Sequence, residues 1–187
     1  MLRIGYIAGS LSSTSINRQV AKGMAELAPE SVELVELDFS QLPQYSADYD
    51  ADYPQSGKDW KQAIEDVDGI IIFTPEYLRS IPGSLKNAID WASRPWGSNS
   101  FNNKPVAIAG ASLGPIGTAA AQQHLRSILA HLNAPTMGQP EVFLKFSPED
   151  FGPDGAIVSD ALQGILEGFL EAAQQHIAQH RASVAVA

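Results

Sequence analysis

The amino-acid sequence predicts an α/β protein: an open, doubly wound parallel sheet of five strands in the order 2-1-3-4-5, with helices on both faces. Three observations carry this expectation. Strand-like and helix-like segments alternate along the 187 residues, as βαβ units joined by right-handed crossovers do. The run Gly69-Ile70-Ile71-Ile72-Phe73 is apolar without alternation, which marks a parallel strand covered on both faces. The stretch Val32 to Leu37 mixes apolar residues with Glu33 and Glu36, so it has one partly wet face and suits a sheet edge. Of the two common doubly wound orders, 2-1-3-4-5 fits five strands and places that second strand at an edge.

Each element has its own signal. Leu2 to Ala8 is short, apolar and closed by Gly9-Ser10, a first strand. Ile16 to Ala28 has helical spacing, with Ile16, Val20, Met24 and Leu27 on one face. Val32 to Leu37 is the second strand. Lys58 to Val67 is a shorter amphipathic helix, and Gly69 to Phe73 the third strand. Pro82 to Trp91 is helical, with proline at a permitted first-turn position. Pro105 to Ala109 is a fourth strand, Gly117 to Leu132 a fourth helix, and Pro140 to Phe146 a fifth strand. Asp160 to His180 is a long closing helix whose core stripe is Leu162, Leu166, Phe169, Ala173 and Ile177. No internal repeat or low-complexity tract interrupts the series, and one domain over residues 1–187 is expected.

Composition narrows the function. Hydrophobic residues are 44% and charged ones 18%, which excludes an intrinsically disordered chain. Lys+Arg number 12 against 21 Asp+Glu, a formal net charge of -9, so nucleic acid and anionic membrane surfaces are expected to be repelled. Cysteine is absent. That excludes a disulfide scaffold, a thiol nucleophile and a cysteine-ligated zinc or iron–sulfur site. No apolar run approaches the roughly 20 residues of a membrane span. Met1-Leu2-Arg3-Ile4 leads directly into the first strand with no signal-peptide pattern, so a cytoplasmic location is expected.

In such sheets ligands bind outside the carboxyl ends of the strands, near the switch point between strands 1 and 3. Three loops lie there. The first, Gly9-Ser10-Leu11-Ser12-Ser13-Thr14-Ser15-Ile16-Asn17, holds five hydroxyl residues and leads into a helix whose first N–H groups lack partners. It has neither a Walker A ending nor Gly-x-Gly-x-x-Gly. A phosphomonoester held by hydroxyls and backbone suits it, and suits an acidic protein that must hold a dianion with neutral donors. An ordinary serine-rich helix cap would have the same composition. The second loop, Thr74 to Gly83, is stiffened by two prolines and a glycine and offers Tyr77 and Leu78 to a flat ring or to solvent. The third, Gly110-Ala111-Ser112-Leu113-Gly114-Pro115-Ile116-Gly117, matches Gly-x-Ser-x-Gly between a strand and a helix. On that reading Ser112 would be a hydrolase nucleophile, with Asp160 and His176 or His180 as partners. Both histidines, however, fall inside the closing helix rather than on a strand-end loop.

The stretch from Thr74-Pro75-Glu76-Tyr77-Leu78-Arg79-Ser80 through Ile81-Pro82-Gly83-Ser84-Leu85-Lys86-Asn87-Ala88-Ile89-Asp90-Trp91 resembles the signature of the NADPH-dependent FMN reductase family. This group includes quinone, chromate and azo reductases. Gly9-Ser10-Leu11 through Ser15-Ile16-Asn17 resembles that family's phosphate loop. Lys104 to Ser112 with Gly114 and Gly117-Thr118, then Met137-Gly138-Gln139-Pro140-Glu141-Val142, continue the likeness. The resemblance implies a flavodoxin-like fold that binds FMN. Ser10, Ser12, Ser15, Ile16 and Asn17 would hold its phosphate. Pro75, Glu76, Tyr77, Leu78 and Arg79 would run along the isoalloxazine, largely through main-chain contacts, and Ser112 and Gly114 would close the other side. The implied activity is an NAD(P)H oxidoreductase in which hydride passes from NADPH or NADH to the flavin and then to a quinone-like acceptor, in ping-pong fashion. The flavin carries the chemistry, so no side chain need act as acid, base or nucleophile. Arg79 would meet a nicotinamide phosphate. A non-enzymatic electron carrier of the flavodoxin type is the alternative. Family members often carry Arg where this chain has Ser12, and Asn where it has Leu78. A homodimer or homotetramer is implied as well, with Trp91 and Trp96 either in the core or anchoring a subunit contact.

Other features carry less. Asp48, Asp50 and Asp52 have the opening spacing of a calcium loop, but Tyr53 and Asp59 replace its glycine and glutamate. Tyr45, Tyr49 and Tyr53 recur in a Pro/Asp-rich segment, as a flap over the flavin, as a dimer contact or as a solvated loop. His176 and His180 have a metal-capable spacing without an evident third ligand. His124 and His131 are expected to pack or cap.

Overall fold

A computed structural model describes residues 1–184 of the chain, with side chains to residue 181. Five parallel strands form one sheet in the order β2-β1-β3-β4-β5, the flavodoxin-like arrangement expected from the sequence. The strands are β1 (Leu2–Ala8), β2 (Val32–Glu36), β3 (Gly69–Phe73), β4 (Val106–Ser112) and β5 (Val142–Lys145). Between and after them lie α1 (Ile16–Glu26), α2 (Gln55–Glu65), α3 (Gly83–Ser93), α4 (Ala119–His131) and α5 (Asp160–Val184).

The side-chain period of a strand sorts the core into two layers. Ile70 and Ile72 of β3, with Ile7, Val106 and Ile108, face a layer closed by Trp60, Ile64, Leu85, Trp91 and Leu125 of α2, α3 and α4. Ile71 and Phe73, with Ile4, Tyr6, Ala107 and Ala109, face Val20 and Met24 of α1 and Leu166, Phe169, Ala173 and Ile177 of α5. All five residues of β3 are buried, whereas β2 is only partly buried beyond Val32. Central and edge strands therefore read in the sequence as they stand in the sheet. Tyr6, buried on β1 opposite Glu36 of β2, meets that carboxylate through its hydroxyl at 3.3 Å. Burial first, and then the adjacent carboxylate, push that phenol up to about 12.

Boundaries differ where local pattern is weak. α2 starts at Gln55 rather than Lys58, capped by the Pro54 carbonyl, which accepts from Gly57 and Lys58 at 3.0 and 3.1 Å. Gly57 obscures this turn in the sequence, yet it is required: a methyl group there would lie 2.7 Å from the Tyr53 ring and 2.9 Å from Trp91. β4 continues past Ala109 to Ser112 because β5 pairs with residues 109–112, Ala109 opposite Val142 and Ser112 opposite Lys145. The third loop thus begins at Leu113, three residues later than Gly110.

The tyrosine segment is neither a flap nor a solvated loop. Tyr45, Tyr49 and Tyr53 pack around Trp91 with ring centroids 5.3, 5.3 and 5.1 Å away. Asn87 fixes this strap by accepting from the Tyr45 N–H at 2.8 Å and donating to the Pro43 carbonyl at 2.9 Å. Asp50 pairs with Arg94 at 3.3 Å and accepts from the Tyr45 hydroxyl, so it is spent on the strap rather than on a cation. Trp91 is fully buried, while Trp96 is 85% exposed and lies outside the core. His176 meets the Pro135 carbonyl at 3.0 Å and His180 the His176 carbonyl at 2.8 Å. Burial pushes the His176 imidazole down from its ordinary range. No helix of the described residues is long and apolar enough to cross a membrane.

The closing helix is seated on β3 through one close approach. A methyl group on Gly69 would lie 2.5 Å from Cγ1 of Ile177, both inside a fully packed layer. Gly69→Ala is expected to destabilise the chain by about 1–3 kcal/mol through overpacking. The check is a lower urea midpoint with an unchanged m-value.

Candidate functional site

Each of the three strand-end loops is shaped by side chains that bond to backbone. In the first, Ser10 is buried and its hydroxyl oxygen accepts from the Ser12 N–H at 3.2 Å. The Ser12 hydroxyl oxygen in turn accepts from the Thr14 N–H at 3.2 Å. Ser15 is the N-cap of α1, its hydroxyl oxygen accepting from the Arg18 N–H at 3.2 Å. The Ser15 carbonyl takes the Gln19 N–H at 3.1 Å. The first-turn N–H groups of Ile16 and Asn17 precede any helical carbonyl, so they serve the concavity of the loop. Hydroxyls and helix-start amides with no carboxylate among them form a donor set that fits a phosphomonoester, including that of FMN.

Asn17 does more than begin the helix. Its side chain is buried, donates to the Ala111 carbonyl at 2.9 Å and accepts from the Ala111 N–H at 2.9 Å. This two-bond clamp ties the first loop to the end of β4. Arg18 supports the loop from behind, donating to the Ser12 carbonyl at 3.1 Å while its Nε donates to Glu36 at 2.8 Å.

The second loop turns sharply. Tyr77 and Ser80 exchange backbone hydrogen bonds of 2.9 and 3.0 Å, and Leu78 and Arg79 between them have φ of 50° and 66°. Positive φ at both central residues is the two-residue hairpin turn that normally takes Asn-Gly. A leucine and an arginine there cost on the order of 1 kcal/mol each. Asparagine at the Leu78 position would suit this backbone, so the departure noted in the sequence bears on the turn as well as on polarity.

Glu76 joins the second loop to the third. Its carboxylate accepts from the Ala120 and Ala121 N–H groups at 3.0 and 3.1 Å, capping α4 from another loop. Thr118, the N-cap by position, makes no capping bond with its own side chain. It receives the Gln122 amide instead, at 3.0 Å. The negative charge lies at the positive end of α4, and its other oxygen accepts from Arg79 at 3.2 Å. The Ser80 hydroxyl adds a second tie, 3.1 Å from Nδ1 of His124 on α4.

Two adjoining clefts of about 280 Å³ each open between these loops and share Glu76 and Ser112. One is lined by Ser10, Ser12, Ser15, Ile16 and Asn17 of the first loop with Pro75, Tyr77 and Ser112. The other is lined by Arg79, Gly114 and the turn to Gly117. Eleven of the twelve expected site residues therefore meet here, and Leu78 lines neither cleft. Thr14 and Leu113 also line the first cleft. Thr14 was legible as part of the hydroxyl run, and Leu113 had no local signal. A larger cavity of about 670 Å³ lies between α3 and α4, against Ile89, Arg94, Trp96 and Ile128. It shares no residue with the three strand-end loops, and its cations Lys86 and Arg94 are paired with Asp90 and Asp50, so size does not locate the chemistry.

The hydrolase alternative is not supported at Ser112. Its hydroxyl donates to the Gly117 carbonyl at 2.7 Å, and His176 is engaged with the Pro135 carbonyl. Among the described residues no cluster of three or more His, Cys, Asp or Glu can hold a metal.

The Glu76 bridge generates a prediction. Glu76→Ala removes a charged cap and should cost about 1–3 kcal/mol. Glu76→Gln, which keeps an acceptor for α4, should lose less. Chemical denaturation of both variants checks the order, and equal losses would dismiss the cap.

Comparison with known proteins agrees with this geometry. Residues 2–149 match the family described as NADPH-dependent FMN reductase. The chain is 46% identical over 170 residues to a 2-hydroxy-1,4-benzoquinone reductase from a Burkholderia species, covering 91% of this chain and 93% of that one. It is 37% identical over 169 residues to a quinone reductase of Pseudomonas putida, covering 90% of each. Among solved structures, a flavoenzyme NAD(P)H:(acceptor) oxidoreductase from Paracoccus denitrificans superposes with a TM-score of 0.86 at 37% identity, over 94% of this chain and 99% of that one. A hydroxyl-lined loop at the start of α1, clamped to two further strand-end loops, is thus found in a chain that belongs to the NADPH-dependent FMN reductase family.

Proposed function

We propose that this single-domain chain is an FMN-dependent NAD(P)H oxidoreductase that reduces quinone-like acceptors. The observation that carries the reading is the continuity of the hydroxyl-lined cleft at α1 with the cleft beneath Glu76 and Arg79. One extended cofactor can run from one to the other. Bound FMN would supply the redox chemistry, taking a hydride equivalent from NADPH or NADH and delivering it to the acceptor.

The chain's own residues bind, orient and shield. Ser10, Ser12, Ser15, Ile16 and Asn17 hold the phosphate with neutral hydroxyl and amide donors, which a chain of net charge -9 requires. Pro75, Glu76, Tyr77 and Leu78 present loop backbone along the ring, while Ser112 and Gly114 close its far side. Asn17 and Glu76 keep the three loops at fixed spacing, so ring positioning costs little reorganisation at reaction. Arg79, 68% exposed at its side chain, meets the nicotinamide phosphate. A homodimer or homotetramer is consistent with the exposed Trp96 beside the α3–α4 cavity. The acidic charge and missing cysteines fit a cytoplasmic protein that binds neither nucleic acid nor membrane.

Purified protein is expected to be yellow, or to become so with added FMN; no binding under any condition would falsify the reading. Ser12→Ala should weaken FMN binding about tenfold, the loss of one hydrogen bond to a charged group. Ser12→Arg should tighten it by a similar factor. Fluorescence titration of apoprotein measures both.

With both substrates using one site in turn, initial-rate plots against NADPH at several quinone concentrations should be parallel. Arg79→Ala should raise the KM for NADPH more than that for NADH; unchanged values would remove Arg79 from that role. A pure electron carrier would show negligible NAD(P)H oxidation in the same assay.

A further inference from the structure

The second loop carries the residue assigned to the coenzyme phosphate, yet packing does little to hold its tip. Between Pro75 and Ile81, both buried, the chain leaves the body of the protein. Tyr77 is 52% exposed, Leu78 101% and the Arg79 side chain 68%. Leu78 and Arg79 also have positive φ, a conformation that such residues leave unless it is held. The pose of this tip therefore depends on polar ties to its neighbours.

Among the described residues three side-chain ties reach from the tip to other elements. The Tyr77 hydroxyl lies 3.3 Å from that of Ser10 across the first cleft. The Glu76 carboxylate takes the Ala120 and Ala121 N–H groups at the start of α4. The Ser80 hydroxyl lies 3.1 Å from Nδ1 of His124, one turn further along α4.

The last two bracket Arg79. Glu76 precedes it and Ser80 follows it, while Ala120 and His124, four residues apart, are neighbours on one helix face. A single attachment leaves a loop free to pivot about it; a second on the same rigid surface removes the pivot. Glu76 holds the Arg79 guanidinium at 3.2 Å, and the His124 tie fixes the limb on the other side. His124 is exposed, belongs to neither core layer and lines neither cleft. Its ring is therefore placed for the loop, not for packing and not for direct contact with a ligand in the clefts.

We infer that His124 is a positioning residue: acting through Ser80, it holds the tip of the second loop in the pose that presents Arg79 to the phosphate of the nicotinamide coenzyme. This rests on the oxidoreductase reading and deepens it. An arginine on a loop already ordered loses less freedom on meeting its anion. Loss of the tie should therefore weaken coenzyme binding and spare the later transfer to the acceptor.

The test is calorimetric titration of NADP⁺ onto FMN-loaded, oxidised protein, with NAD⁺, which lacks the additional phosphate, as the reference. His124→Ala should weaken NADP⁺ about two- to tenfold, the range for one lost hydrogen bond, and NAD⁺ less. Ser80→Ala should do the same, and the double variant should be no worse than either single one. His124→Asn, whose amide reaches the place of Nδ1, should recover most of the affinity. In an Arg79→Ala background, removing His124 should bring no further loss. In steady-state assays the KM for NADPH should rise in step, and that for the quinone should not. Full NADP⁺ affinity in His124→Ala overturns the proposal. So do additive losses from His124 and Ser80, no recovery in His124→Asn, or an undiminished effect in the Arg79→Ala background. A wild-type chain that binds neither nucleotide fails the oxidoreductase reading itself, and the proposal falls with it.

Discussion

The site depends on one buried amide. β1 and β4 are not neighbours in the sheet, since β3 lies between them, so nothing in strand pairing fixes the first loop against the third. Asn17 does so by treating the Ala111 peptide as a neighbouring strand would, one bond to its carbonyl and one from its N–H. Because both partners are buried, breaking the pair leaves a donor and an acceptor without water, which costs more than the net value of the bonds. This clamp and its counterpart, the Glu76 carboxylate on the start of α4, tie the three loops together.

These two residues also show that a site residue need not touch its ligand with its side chain. The resemblance placed Asn17 and Glu76 in the cofactor site, and both line the clefts. Their polar atoms, however, are committed to the protein: the Asn17 amide and one Glu76 oxygen to backbone, and the other Glu76 oxygen to Arg79. Positions of this kind act by holding loops apart at a set distance. Asparagine and glutamate suit them because they reach across a gap and satisfy two backbone groups at once.

Much was legible because its signals are local. The all-apolar β3, the half-polar β2 and the apolar stripe of α5 each record their own burial, and together they dictate the strand order. The hydroxyl run before α1 likewise announces an N-terminal donor cluster. What was not legible depends on distant partners. The tyrosines near residues 45–53 read equally as a flap, a dimer contact or a solvated loop, but their destination is Trp91, about 40 residues away in the chain. The extension of β4 to Ser112 is imposed by β5. Gly57 reads as a helix breaker until Trp91 is placed against it. The turn at Leu78 was hidden for another reason: its backbone conformation runs against the preference of the residue that adopts it.

That turn has a consequence for how such a chain changes over generations. Its shape is held by the Tyr77–Ser80 backbone pair, which residues that tolerate positive φ at the two central positions leave in place. Leu78 contributes nothing to either core layer, so substitution there carries little risk to folding, and asparagine or glycine would relieve strain. The selectivity of the opening can therefore drift almost independently of the fold. A scaffold whose ligand-facing tip is decoupled from its stability can acquire new acceptors without first acquiring compensating mutations elsewhere.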